Sequence, residues 1–492
     1  MNATLIATIG TRDLMFQTQS GEWYNIGDDQ LRGTFIGEQA EVLADLGQDL
    51  LTFRDLTKFL VDHLEQYRSR ICPVITGKLL QNRAQDIGQV YLIGTDQPET
   101  VTQRDKDTLY ACQLLKAWFA DHHPNITVDI VLLGQDGTNP SDFEAMFRWW
   151  QNTWPTLVDA DSSNPLWLCI KGGVGQTSES GRISGLSRYG DRIQFFEFQQ
   201  KRDQNRQGIP SDYTGPFSGT YYLWNRTQQQ ALKLLERYDY AGAYDVLAPY
   251  IKQDSNGFGA IPTWLQAGMA WNRGEFSTFF QYAKSTLPPL AQKQGQQWWW
   301  MAYEQAQLAV IRLEQENTAE AMLHSFRAVE GVIWEWMETH IPNHIDHPDN
   351  RYPQLLDSVL ELYPGLRPKF VDRRTQTPLV SIDLKGHIQQ ALIEAAIPAT
   401  LSHQDIQSFW RKENRDRRNA LSHRLGGISQ KALFQAWGAD VREVTAWQNR
   451  MVNCLNIITG QSMKLLENAN LFMQMHARVQ AATVDYEPPC HA

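Results

Sequence analysis

Thr4-Leu5-Ile6-Ala7-Thr8-Ile9-Gly10-Thr11-Arg12-Asp13 is the stretch whose reading decides the fold. Apolar and β-branched residues run unbroken from Thr4 to Ile9 and stop at a glycine and a polar turn. A short, continuously apolar run suits a strand buried on both faces, as in a parallel sheet. Similar runs recur at Val90-Tyr91-Leu92-Ile93, 128–133, 166–170 and 193–198. Helical periodicity lies between them. Leu56, Phe59, Leu60, His63, Leu64 and Tyr67 share one helical face, and Leu109, Cys112, Leu115 and Phe119 share another. The stretch 143–150 repeats the pattern. Residues 1–205 are therefore expected to form an α/β domain, a doubly wound parallel sheet with helices on both faces.

Ligands of such sheets bind beyond the carboxyl ends of the strands. Three polar loops fall there: Gly10-Thr11-Arg12, Gly94-Thr95-Asp96-Gln97, and Lys171-Gly172-Gly173-Val174-Gly175-Gln176-Thr177. Glycines let a backbone approach a phosphate and present its amides to it. Lys171 adds charge, and Thr11, Gln176 and Thr177 add neutral donors. Any one such loop reads as an ordinary turn, but three on one sheet edge point to an anion site. None matches a Walker A or dinucleotide fingerprint, so an ordinary ATP or NAD site is not expected.

The chain has 492 residues and a net charge of −10, which excludes a generic basic coat for nucleic acid. The cysteines Cys72, Cys112, Cys169, Cys454 and Cys490 are scattered, with no C-x-x-C pair. That argues against a disulfide framework or structural zinc and suits a reducing, cytoplasmic setting. No secretory signal or membrane-spanning run is recognised.

Residues 200–218 read as a linker, after which the chain turns helical. Helix–turn–helix pairs are expected at 231–247 and 264–283, and longer helices at 296–316 and 319–339. Trp298, Trp299 and Trp300 are expected to pack against a neighbour. His340, His344 and His347 are interrupted by Pro342, lack a completing ligand, and are read as a loop rather than a metal site. Residues 341–378 read as irregular. Helices are expected again at 388–396, 404–421 and across 430–481.

One charged stretch stands out in this helical half: Arg411-Lys412-Glu413-Asn414-Arg415-Asp416-Arg417-Arg418-Asn419-Ala420-Leu421-Ser422-His423-Arg424. RNA can be cut without a metal because its own 2′-hydroxyl is the nucleophile. The protein must then move a proton and neutralise charge on the reacting phosphate. His423 suits the proton transfer and Arg418 suits the phosphate. On an ideal helix the two residues, five apart, point about 140° from each other. Asn419 and His423 lie one turn apart and are able to touch. A site using both Arg418 and His423 would need a loosened helix, a long reach, or a second subunit.

Taken together, these residues resemble the CRISPR-associated CARF–HEPN ribonucleases, ancillary effectors of type III systems. Arg418-Asn419-Ala420-Leu421-Ser422-His423 is similar to the HEPN R-x(4–6)-H motif. His324-Ser325-Phe326-Arg327-Ala328-Val329-Glu330 resembles the first HEPN helix. Leu92-Ile93-Gly94-Thr95-Asp96-Gln97, Lys106-Asp107-Thr108 and the Lys171-Gly172-Gly173 loop resemble a CARF domain. The likeness spans most of the chain and keeps the domain order.

The resemblance implies a Rossmann-like CARF sensor at 1–205, a helical spacer at 206–318 and an all-α HEPN domain at 319–492. It implies a homodimer with Arg418, Asn419 and His423 as catalytic residues and no cofactor or metal. Single-stranded RNA is the substrate it implies, with 2′,3′-cyclic phosphate products and no DNA or membrane partner. It further implies activation by a cyclic oligoadenylate, the tetramer or hexamer. The ring would be held by Gly10, Thr11, Arg12, Thr95, Asp96, Gln97, Lys171, Gly172, Gly173, Gln176 and Thr177. The Lys171–Thr177 loop differs from the Gly-Gly-Thr-Lys-like loop of many relatives, which leaves ring size and slow activator cleavage open. The alternative is a ligand-sensing regulator or scaffold that does not cut RNA. A winged-helix regulator would end in a recognition helix and hairpin, whereas this C-terminus is long and helical.

Overall fold

The computed structural model describes residues 2–27, 38–49, 51–158, 162–422 and 427–489. The chain divides into two compact units, the first comprising residues 1–225 with 488–492 and the second Arg226–Glu487.

Among the described residues, the first unit has nine strands. They are β1 (Ala3–Thr8), β2 (Leu14–Gln17), β3 (Trp23–Asn25), β4 (Ile71–Pro73), β5 (Ile87–Thr95), β6 (Thr127–Leu133), β7 (Leu166–Cys169), β8 (Ile193–Gln199) and β9 (Asp212–Ser218). The main sheet has the order β6-β5-β1-β7-β8-β9. All its neighbours pair in parallel except β8 with β9. The central strand is the opening run of the sequence. Leu5, Ile6 and Ala7 are fully buried, because helices cover both faces of the sheet. Leu5 and Ala7 face one core with Leu56, Leu60, Leu115 and Phe119. Ile6 faces the other with Met146, Trp150, Trp154 and Leu168.

The helices supplying those cores are α1 (Phe53–Asp62), α2 (Leu109–His122), α3 (Phe143–Leu157) and α4 (Gly175–Tyr189). The 56–67 periodicity is interrupted at His63, whose ring nitrogen bonds the Phe59 carbonyl oxygen at 2.9 Å. A separate turn, Leu64–Tyr67, completes the stripe. Trp150 and Trp154 stack at 4.8 Å and pin α3 to α4. The Trp150 indole N–H donates to the Thr177 carbonyl at 2.8 Å. Gly181 makes room, since a Cβ there would stand 2.8 Å from the Trp150 ring.

Two features of this unit depart from the sequence reading. The stretch 200–218 is not a linker, because β9 is the antiparallel edge of the sheet. Gly215 and Pro216 mask it in the sequence, and an edge is where a strand tolerates proline. The sheet thus runs past residue 205. Strands β3-β2-β4 also form a second, antiparallel sheet, directly after the first loop.

The second unit is helical. The pairs 220–236 with 240–253 and 261–272 with 276–283 are present. Trp271 stacks on Phe472 at 3.6 Å, so the second pair meets the C-terminal helix Phe472–Asp485. Then come α5 (Trp300–Glu314), α6 (Thr318–His340), α7 (Gln404–Trp410), α8 (Lys412–Ser422), α9 (Gln430–Trp437) and α10 (Val444–Thr459). Trp299 and Trp300 are buried, and Trp298 meets the His340 ring edge-on at 5.3 Å. The stretch read as irregular carries β10 (Ile345–Asp346) and β11 (Gln354–Leu356), which pair with each other, and β11 also pairs with β12 (Ser381–Asp383). The stretches 404–421 and 430–481 are broken into shorter helices. Among the described residues no helix is long and apolar enough to cross a membrane.

The stacked tryptophans give a direct test. Trp150→Ala should destabilise the first unit by roughly 3–5 kcal/mol, as for other large-to-small core changes. Urea denaturation of the full chain should show an early transition that leaves the helical unit folded.

Candidate ligand cleft and candidate active-site helix

The sheet order places β1 between β5 and β7, and the chain fills one side of β1 before crossing to the other. That is a topological switch point, where the loops after adjacent strands diverge and leave a crevice. A cleft of about 540 Å³ opens there. It is lined by Gly10, Thr11 and Arg12 after β1, Thr95 at the end of β5, and Lys171, Gly172 and Gly173 after β7. The structure therefore brings together seven of the residues expected to hold a ligand.

Glycine is required at the base of the cleft. A Cβ on Gly10 would stand 2.4 Å from the Gly173 amide nitrogen, and Gly173 itself has φ +84°. The two loops meet backbone to backbone, which a side chain would prevent. The Thr8 hydroxyl donates to the Gly172 carbonyl at 2.7 Å and ties β1 to the second loop. Three cations, Arg12, Lys106 and Lys171, line the same cleft. All three are exposed. This set can attract a polyanion, while the backbone sets how closely it approaches.

Asp96, Gln97, Gln176 and Thr177 are not among the lining residues. Arg54 donates to Asp96 at 2.8 Å and to Asp107 at 3.0 Å. Asp107 is fully buried and also accepts from the Gln97 side chain at 2.9 Å. Burial alone would raise the Asp96 carboxyl, but hydrogen bonds from Gln135 and Arg54 outweigh it and hold it below its ordinary value. Asp96 and Gln97 thus anchor the loop that carries Thr95. Thr95 and Thr108 bond each other reciprocally, backbone N–H to hydroxyl, at 3.0 and 3.1 Å. Thr177 is buried and donates to the Pro140 carbonyl at 2.9 Å, and Gln176 is exposed.

Asp13, Lys106 and Thr108 line the cleft without having been singled out as ligand residues. Lys106-Asp107-Thr108 carries a signal, a cation beside a buried acid and a helix start. Asp13 carried only its place beside the first glycine loop. Asp13 is 4% exposed, and burial raises its carboxyl to about 7 against the Gly10 hydrogen bond that lowers it.

The described part of the charged stretch lies on α8, which is parted from α7 by a break at Arg411, whose ψ of 136° leaves the helical range. Arg450 secures that break. It donates to Asp405 at 3.0 Å, to Asp440 at 2.6 Å and to the Trp437 carbonyl at 2.9 Å. Asn414 is buried and donates to the Ser408 carbonyl at 2.7 Å. These bonds fix the direction in which α8 leaves α7.

Arg418 is 8% exposed, and its guanidinium carbon lies 4.4 Å from the ring centroids of both Phe326 and Phe409. Phe326 in turn stacks on Trp437 at 4.8 Å. Burial lowers the guanidinium to about 10, opposed by the charge of Glu330. It remains cationic at neutral pH, in surroundings where a charge acts more strongly than in water. Helix α6 presents Phe326 to this cage, and Arg327 and Glu330 on the same helix are exposed. Asn419 is exposed. His423 lies outside the described residues.

The three candidate metal histidines have separate partners. His340 stacks on Trp336 at 4.8 Å, His344 meets the Ser358 hydroxyl at 2.8 Å, and His347 faces Glu338 at 3.1 Å.

No family model and no curated protein matches this chain. Among solved structures, its fold is similar to that of Enterococcus italicus Csm6 bound to cyclic hexa-2′-fluoro-hexa-dAMP. The TM-score is 0.59 over 98% of this chain and 100% of that chain, at 12% sequence identity. The shared architecture is a mostly parallel α/β sheet followed by a long helical region, as in the CARF–HEPN arrangement.

The close approach of the glycine loops is testable. A Cβ on Gly172 would stand 2.4 Å from the Thr8 carbonyl oxygen, whereas one on Gly175 would meet nothing within 4 Å. Gly172→Ala should cost about 1–3 kcal/mol by overpacking, and Gly175→Ala should be neutral or slightly stabilising. Thermal unfolding of the two variants beside the parent chain checks this.

Proposed function

We propose that the chain is a cyclic-oligoadenylate-activated, metal-independent endoribonuclease that cleaves single-stranded RNA in type III CRISPR antiviral defence. One observation carries the reading. A cationic glycine-loop cleft at the switch point of the first unit coexists with a caged arginine on the R-x(4–6)-H helix of the second. The fold containing both is similar to that of a protein bound to a cyclic hexanucleotide analogue.

In this reading the sheet unit is the CARF sensor, with β9 as its edge. The helices up to 318 are the spacer, and 319–492 is the HEPN domain. The activator is a cyclic oligoadenylate, with the hexamer favoured by the ring in the similar structure. Arg12, Lys106 and Lys171 neutralise its phosphates, while Gly10, Gly172 and Gly173 let it approach the backbone. In the helical unit, the RNA 2′-hydroxyl attacks the adjacent phosphorus and the 5′-oxygen leaves. A 2′,3′-cyclic phosphate remains. Arg418 faces the charge developing on the phosphate, and His423 moves the proton. The cage of Phe326 and Phe409 holds the guanidinium in one orientation, so little reorganisation is left for the reaction. Two chains contribute one motif each, which resolves the about 140° divergence of Arg418 and His423 on a single ideal helix.

The test is cleavage of labelled single-stranded RNA in EDTA, with and without cyclic tetra- or hexaadenylate. Arg418→Lys and His423→Ala should each lower the activated rate by about a hundredfold or more while leaving activator affinity unchanged. Absence of cleavage with every ring would favour the non-cutting regulator. Full cleavage by the Arg418→Ala, His423→Ala double variant would remove the site assignment.

A further inference from the structure

The cleft that attracts an anion has a carboxyl group at its floor. Asp13 lines the cleft yet is 4% exposed. Its Oδ2 accepts the Gly10 N–H at 2.6 Å, and its backbone carbonyl accepts the Val74 N–H at 2.8 Å. A Cβ on Gly172 would stand 2.3 Å from the same Oδ2. The carboxyl is therefore wedged between the loops that follow β1 and β7, at the point where they touch.

Among the described residues, the groups around it are few. Arg12 lies on its own loop, Lys106 and Thr108 come from the approach to α2, and Lys171 follows β7; all line the same cleft. From α2 comes the buried Cys112 thiol and from β7 the buried Cys169 thiol. Both are pushed up by burial first and by Asp13 second, so they stay neutral. No histidine is among the lining residues. A phosphodiester stays anionic across the neutral range, so it cannot shed its charge to suit a carboxylate below it. An ionised carboxylate in that place meets both burial and a like charge, and both favour its protonated form.

We infer that Asp13 is a positioning residue that couples ligand binding to proton uptake. The neutral carboxyl holds the two glycine loops in register beneath the phosphates, and its ionisation weakens binding. This rests on the cyclic-oligoadenylate reading above.

The sign follows from linkage. In the free cleft, burial already places the carboxyl at about 7. Phosphates above it raise that value further in the complex. Binding is then tightest at pH below the free value, where both states are protonated. It weakens as pH rises through about 7 and levels off once the complex also ionises, by at most about tenfold per pH unit for one proton. Asp13→Asn keeps an oxygen for the Gly10 N–H and removes the charge.

The experiment measures cyclic hexaadenylate and cyclic tetraadenylate binding to the full chain by calorimetry, from about pH 5.5 to about pH 8.5, in buffers of differing ionisation heat. The parent chain should take up a proton on binding and lose affinity across neutrality. Asp13→Asn should bind with flat pH dependence and hold at pH 8 the affinity the parent shows at low pH. Thermal unfolding confirms that the variant is folded. A flat profile in the parent overturns the inference, as does a pH dependence that Asp13→Asn retains. Failure of both rings to bind the parent at any pH overturns the ligand reading and the inference with it.

Discussion

The backbone contact between the Gly10 and Gly173 loops is the constraint on which the cleft depends. A parallel sheet buries its central strand on both faces, so β1 leaves no side chain free for function until it ends. The first residues past it must do the work, and they do so as main chain. Gly10 and Gly173 come close because neither carries a Cβ, and the Thr8 hydroxyl bonds the Gly172 carbonyl beside them. The stacked Trp150 and Trp154 act on the same place from behind. By gripping the Thr177 carbonyl, Trp150 fixes the start of α4 and hence the end of the Lys171–Thr177 loop.

The helical unit solves a different problem. In the proposed reading, a guanidinium that meets a phosphate in a fixed direction is held rather than left on a flexible exposed stem. Arg418 is held between two phenylalanine rings, and those rings are held by Trp437 and by the turn that Arg450 and Asn414 secure. The break at Arg411 is what lets α7 supply Phe409 while α8 supplies Arg418. A continuous helix would fix the two residues' relative direction by its period alone.

Much of the sheet was legible because continuous apolar runs ended by glycines have few structural meanings. The loops after β1 and β7 were legible for the same reason. The antiparallel strands β2 and β3 were not, being short, and neither was β9, which is partly polar with Gly215 and Pro216 inside it. Asp96, Gln97 and Thr177 were read as ligand contacts from loop position, which says where a residue lies and not which neighbours bond it. Arg54 and Pro140, which claim Asp96 and Thr177, lie far away in sequence. Asp13 was passed over for the converse reason: nothing local indicates that a carboxyl beside a turn becomes buried. Arg418 was legible as a motif residue, but its cage was not, since Phe326 lies on a helix distant in the chain.

The central claim is that occupation of the glycine-loop cleft governs RNA cleavage by the helical unit. The most direct measurement is the single-turnover cleavage rate as a function of cyclic hexaadenylate concentration, in the parent chain and in a Lys106→Ala, Lys171→Ala variant. The account predicts that the parent's rate rises steeply and saturates. The variant should keep the parent's low rate without activator but need far more ring to leave it. A parent chain that cleaves equally fast with no ring, or a variant activated at the parent's concentrations, would contradict it.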